Sequence, residues 1–154
     1  MATDDQLRNA MAKAMQGFAA VVQAIEPHHW DRASPCAEWS AWQVVDVAAP
    51  ALDAFGGSLD RTVEHRVGTI TARRMLGFRI IDELGHTWEV VTATDQPSNL
   101  DPNALTVGVE IAMAERKTLE QSPHFATSPE DGQTASGDPL AMFLQVIGRV
   151  NPDH

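Results

Sequence analysis

The sequence predicts an all-α fold, a bundle of four main helices plus a shorter C-terminal one. Three observations carry that expectation. Apolar residues recur at spacings of three and four in successive segments, Ser/Thr/Asp capping signals open those segments, and no stretch alternates well enough to make a sheet. A chain of 154 residues with 44% hydrophobic and 21% charged residues suits a single domain over residues 1–154, large enough to bury one core.

The first helix is expected over Thr3–Glu26. Leu7, Met11, Ala14, Phe18, Val22 and Ile25 form one apolar stripe, Thr3 with Gln6 offers a capping box, and Pro27 ends the run. His28–Glu38 reads as a loop. A second capping box, Ser40 with Gln43, leads a helix through Trp42, Val45, Leu52 and Phe55, kinked or divided at Pro50 and stopped at Gly56-Gly57. Ser58–Gly68 reads as an extended connection. From Thr69 to about Thr94 the chain is apolar around most of its circumference, as the central helix of a bundle should be. Asp101-Pro102 then opens a helix running through Leu119 and closing before Pro123, with Arg116 and Lys117 complementing its dipole. Ser122–Gly137 reads as a loop. Asp138-Pro139 opens a short last helix, stopped at Gly148.

The formal net charge of -10, without a tight basic cluster, opposes phosphate backbones and anionic headgroups, so neither nucleic acid nor a membrane is an expected partner. No apolar run approaches spanning length, the start MATDDQLRNA lacks the basic and apolar regions of a signal peptide, and a single cysteine excludes an intrachain disulfide. These features point to a cytoplasmic protein. Cys36, between Pro35 and Trp39, reads as a small apolar plug, although a neighbouring base would make it a nucleophile.

Chemistry concentrates in the central helix. Asp82, His86 and Glu89 are spaced by four and three, which places them along one helix face, and imidazole and carboxylate together suit zinc, nickel or manganese. The same spacing also serves an ordinary ion pair or a hydrogen bond at the core margin. An otherwise apolar helix flanking the trio with Phe78, Gly85 and Trp88 makes an unpaired charge costly there and so marks the place. Arg79 and Trp88 are the candidate contacts for a bound ligand or cofactor, Arg79 either holding a carboxylate or neutralising Asp82. His28-His29, His65 and His124 are expected at the surface.

Three segments together resemble a known family. Trp30-Asp31 through Ser34-Pro35-Cys36-Ala37-Glu38-Trp39-Ser40 is similar to the "W…PC-x-x-W-[ST]" signature of mycothiol-dependent maleylpyruvate isomerase N-terminal domains and their DinB-like relatives. DELGHTWEVVTA, Asp82–Ala93, resembles that family's "D-x-x-x-H-x-W-D" helix with Glu89 at the second Asp, and LAMFLQVIGR, Leu140–Arg149, resembles its closing "L-L-x-x-x-G-R". The resemblance implies a DinB-like up-down four-helix bundle with an additional short C-terminal helix, and a divalent metal held by three side chains. Two of these map to Asp82 and His86; the third maps to Val47, which cannot bind a metal, so Glu89 or another region would have to complete the site. Two functions follow from the resemblance. One is a metal- and thiol-dependent isomerase or transferase of a small organic molecule, using a low-molecular-weight thiol. The other is a noncatalytic small-molecule-binding or regulatory protein. A contracted middle segment, leaving the central helix short of cover, leads to the expectation of a homodimer.

Overall fold

The computed structural model describes residues 1–35, 40–41, 58–65, 67–122, 125 and 138–149. Most of these are helical, and a small two-stranded sheet accompanies the helices. The expected second helix with its Pro50 kink, the Cys36 plug, His124 and most of the 122–137 loop lie outside the described residues.

Helix α1 (Asp4–Gln23) begins as its sequence dictates. The Gln6 backbone N–H donates to Thr3 Oγ1 at 3.2 Å, and the Thr3 N–H donates to Gln6 Oε1 at 2.8 Å, completing the capping box. Leu7, Ala10, Met11, Ala14 and Phe18 are its buried face. A single 3₁₀ turn, Pro27–His29, follows it.

The hairpin corrects the expectation of a chain without strands. Strand β1 (Thr62–His65) pairs antiparallel with β2 (Gly68–Thr71), with Val63 opposite Ile70 and His65 opposite Gly68. Gly68 has φ 105°, a conformation costly for any residue with a Cβ, which explains its place at the turn. Thr69, Ile70 and Thr71 therefore belong to a strand and not to the central helix; their β-branched side chains favour extended backbone, and Ile70 matched the helical stripe only by its spacing.

Helix α2 (Ala72–Ala93) starts where Thr71 Oγ1 accepts the Arg74 N–H at 3.2 Å. Its apolar circumference is explained by its neighbours: α1 covers one side, α3 (Pro102–Ala114) another, and the hairpin packs at its start. Leu76, Ile80, Ile81, Leu84 and Trp88 are all buried in the main core, and each fully buried side chain of this size stabilises the fold by roughly 1.5–3 kcal/mol.

Asp101 caps α3 by accepting the N–H groups of Asn103 and Ala104, as Asp138 caps the last helix, α5 (Pro139–Val146), through Leu140 and Ala141. Helix α3 does not run through to Leu119. It ends at Ala114, and a single turn, α4 (Arg116–Leu119), follows the break at Glu115. The Glu115 carboxylate accepts from Arg74 Nε and Nη2, both at 2.7 Å, tying the break to α2. Arg116 pairs with Glu120 at 3.0 Å rather than only facing the helix end. Gly108 sets the spacing of three helices: a Cβ there would lie 2.8 Å from Leu84 and 3.2 Å from Phe143, both fully buried. Helix α5 packs on α3 and ends before Gly148, whose φ of 72° turns the chain.

Candidate functional site

Two glutamates, a histidine and two arginines sit along α2 and the end of α5, where an apolar helix would have been cheaper. Glu89 is 1% exposed and Glu83 is 4% exposed. Burial of a carboxylate demands partners. Glu89 has them on both oxygens: Oε2 lies 3.0 Å from His86 Nδ1, and Oε1 accepts from Arg149 Nε at 3.0 Å and Nη2 at 2.7 Å. Burial pushes the Glu89 carboxyl up, but the His86 hydrogen bond and the Arg149 charge together outweigh it and hold Glu89 below the ordinary carboxylate range. An ionised Glu89 is acceptor-only, so the His86 proton sits on Nδ1 and Nε2 faces away from this bond.

Glu83 is treated oppositely. Burial raises its carboxyl, and Arg79, 3.9 Å away, only partly offsets this, with Asp82 adding to the rise. Arg79 also lies 3.5 Å from Asp82 Oδ2, an ion pair one turn along the helix. Trp88 is 3% exposed and packs inside the main core.

The structure therefore separates the three candidate metal ligands. His86 and Glu89 meet, whereas Asp82 turns to Arg79 and to a cavity. Among the described residues, the ligand atoms of Asp82, His86 and Glu89 do not gather around one point. Among the described residues, the group of three possible ligands that gathers is elsewhere, at Glu26, His28 and His29.

The cavity, about 420 Å³, lies between the hairpin, α2, α4 and the residues that follow α4. Asp82 supplies a carboxylate, Phe78, His65 and Phe125 supply rings, and Thr118 and Ser122 supply hydroxyls. The His65 ring stacks on Phe78 with centroids 5.5 Å apart and 25° between planes, and Arg74 lies 5.3 Å from the centre of the same ring. On the far wall the Arg149 guanidinium lies 6.0 Å from the Phe125 ring, linking the cavity to the Glu89 network. His65 is thus half-buried at a cavity wall rather than a simple surface residue.

Sequence reasoning singled out Asp82, His86 and Glu89 but missed what completes them. Arg149 is 60 residues from Glu89, and its only signal was its place in LAMFLQVIGR. His65 and Phe125 carried none.

No family model matches the chain, and no solved structure matches it. It is similar to uncharacterized proteins from two strains of Mycobacterium tuberculosis, each 22% identical over an alignment that covers 88% of this chain and 94% of theirs. Among the described residues no helix is long and apolar enough to cross a membrane.

Proposed function

We propose that this chain is a DinB-like four-helix bundle that binds a small organic molecule without transforming it. The family resemblance gains support from a contact between two of its motif segments, since Glu89 of DELGHTWEVVTA and Arg149 of LAMFLQVIGR form one buried ion pair. The observation that carries the noncatalytic reading is the division of labour on α2. Glu89 and His86 are bound to each other, while the Asp82 carboxylate, about one-third exposed, lines a cavity with three aromatic rings. Cavities of this size with apolar walls and a few polar groups suit small ligands. The rings offer stacking, the carboxylate favours a protonated amine, and the net charge of -10 favours cations over anions. The ligand class is an aromatic amine.

A metal- and thiol-dependent isomerase or transferase retains only Asp82 and His86 on α2 and needs further ligands that the Glu89 network does not supply. Ligand-observed NMR with matched sets of aromatic amines and aromatic carboxylates separates the readings. Saturable amine binding that shifts the His65 and Phe125 ring resonances and weakens at least tenfold in Asp82→Asn is expected. Preference for the carboxylates, or binding indifferent to Asp82→Asn, contradicts the proposal. Turnover of an added thiol adduct that depends on His86 restores the enzyme.

A further inference from the structure

The turn after α1 gathers three side chains that have no role in the cavity. Pro27 closes off the helix and starts a 3₁₀ turn, in which the His29 N–H donates to Glu26 O at 2.9 Å. Side chains three residues apart eclipse in a 3₁₀ turn, so Glu26 and His29 share a side. His28 joins them: its Nδ1 lies 3.5 Å from Glu26 Oε2, and its ring meets the His29 ring edge-on with centroids 4.1 Å apart. Adjacent histidines in an extended loop point apart; the tight turn is what brings these two together. One ligand atom from each of the three residues lies within 4.8 Å of the others.

We infer that Glu26, His28 and His29 form a surface site for a borderline divalent transition metal, with zinc as the ion. Two imidazoles and one carboxylate are a donor set for zinc, nickel or copper and a poor one for calcium or magnesium, which take oxygen ligands. Zinc bonds of ordinary length place tetrahedral ligands about 3.4 Å apart, so closure needs only a rotation of side chains. That rotation is unhindered at Glu26 and His28, whose side chains are 66% and 69% exposed. The fourth position is left to water.

The site is remote from the cavity. The neighbouring Trp30 packs with Phe18, Ile25 and Val90, whereas the cavity uses Phe78, on the order of 18 Å earlier along α2. Zinc there would brace the turn that follows α1 and would stabilise the folded chain by binding it selectively.

Zinc chloride titrated into chelator-treated full-length protein, followed by histidine ring NMR and by thermal melting, tests the site. The expected result is one zinc per chain, shifts confined to the His28 and His29 rings, and a melting temperature that rises with zinc. Affinity should fall at least tenfold in His28→Gln, His29→Gln and Glu26→Gln, with the zinc-dependent rise in melting temperature lost, and be unchanged in His86→Ala. These residues lie at or near the surface, so the variants should fold, which melting without zinc verifies. No binding, binding that survives the His28→Gln/His29→Gln double variant, or binding abolished by His86→Ala overturns the inference. The amine-binding assay at Asp82 is unaffected by any of these outcomes.

Discussion

Glu83 and Glu89 stand less than two turns apart on the same helix and are both almost fully buried, yet their carboxyls are displaced in opposite directions. At Glu89 a histidine one turn away and Arg149, just beyond α5, occupy both oxygens. At Glu83 the nearest cation is Arg79 at 3.9 Å, shared with Asp82. Burial is the same; the number and quality of partners differ. The comparison teaches that depth alone does not decide whether a carboxylate stays charged. It also separates a structural glutamate from a polar group that the fold tolerates without fully pairing.

The largest effect is expected at Arg149. Replacing it with Leu leaves an ionised Glu89 in the interior with one partner, and urea melts should show a loss of about 3–5 kcal/mol, as for other broken buried pairs. Glu89→Gln is expected to cost less, about 2 kcal/mol, because the Arg149 side chain is 15% exposed and its head can turn to water. The double variant Arg149→Leu/Glu89→Leu should recover most of the Arg149→Leu loss, since no buried charge then lacks a partner. If the double variant is no more stable than Arg149→Leu alone, the pair is not coupled and the comparison fails. His86→Ala should cost about 1.5 kcal/mol, a hydrogen bond to a charged group. Glu83→Gln should change stability by less than about 1 kcal/mol at neutral pH, with stabilisation the expected direction, because it removes a charge whose burial is only partly offset.

The same contrast sets the pH behaviour. With its folded value below the unfolded one, Glu89 contributes stability that is present above the unfolded carboxylate range and is lost as pH falls through the lower folded value. With its folded value raised, Glu83 favours the fold below the unfolded range, and that contribution is lost as pH rises through the raised value. Wild type should therefore lose more stability on acidification than Glu89→Gln, whereas Glu83→Gln should lose more than wild type. Melts run from neutral to acidic pH read both slopes.

What was legible in the sequence was local. The Thr3/Gln6 capping box, the Asp101-Pro102 and Asp138-Pro139 helix starts and the stop at Gly148 depend on neighbours within a few residues, and each is found in place. The hairpin was hidden because Ile70 is apolar in both periods, and only its partner Val63 decides that the strand wins. The break at Glu115 carried no local signal, and the Arg74 side chain that binds Glu115 there lies on another helix. Along the candidate site the spacing of Asp82, His86 and Glu89 was visible, but spacing cannot reveal that Glu89 belongs to Arg149 and Asp82 to a cavity. The place of His28 and His29 at or near the surface was legible, but a loop of unknown geometry gives adjacent side chains no reason to converge; the 3₁₀ turn supplies one.

Glu89 is held ionised by His86 and Arg149, while Glu83, similarly buried, has only Arg79 nearby to offset its burial, so the two carboxyls should titrate apart. The carboxyl carbon resonances of the two glutamates, followed by NMR from neutral to acidic pH, test it most directly. The account predicts that Glu83 takes up its proton above the ordinary carboxylate range and Glu89 only below it, with Arg149→Leu moving Glu89 upward and leaving Glu83 in place. A Glu89 that protonates together with or before Glu83, or one that does not respond to loss of Arg149, would contradict the account.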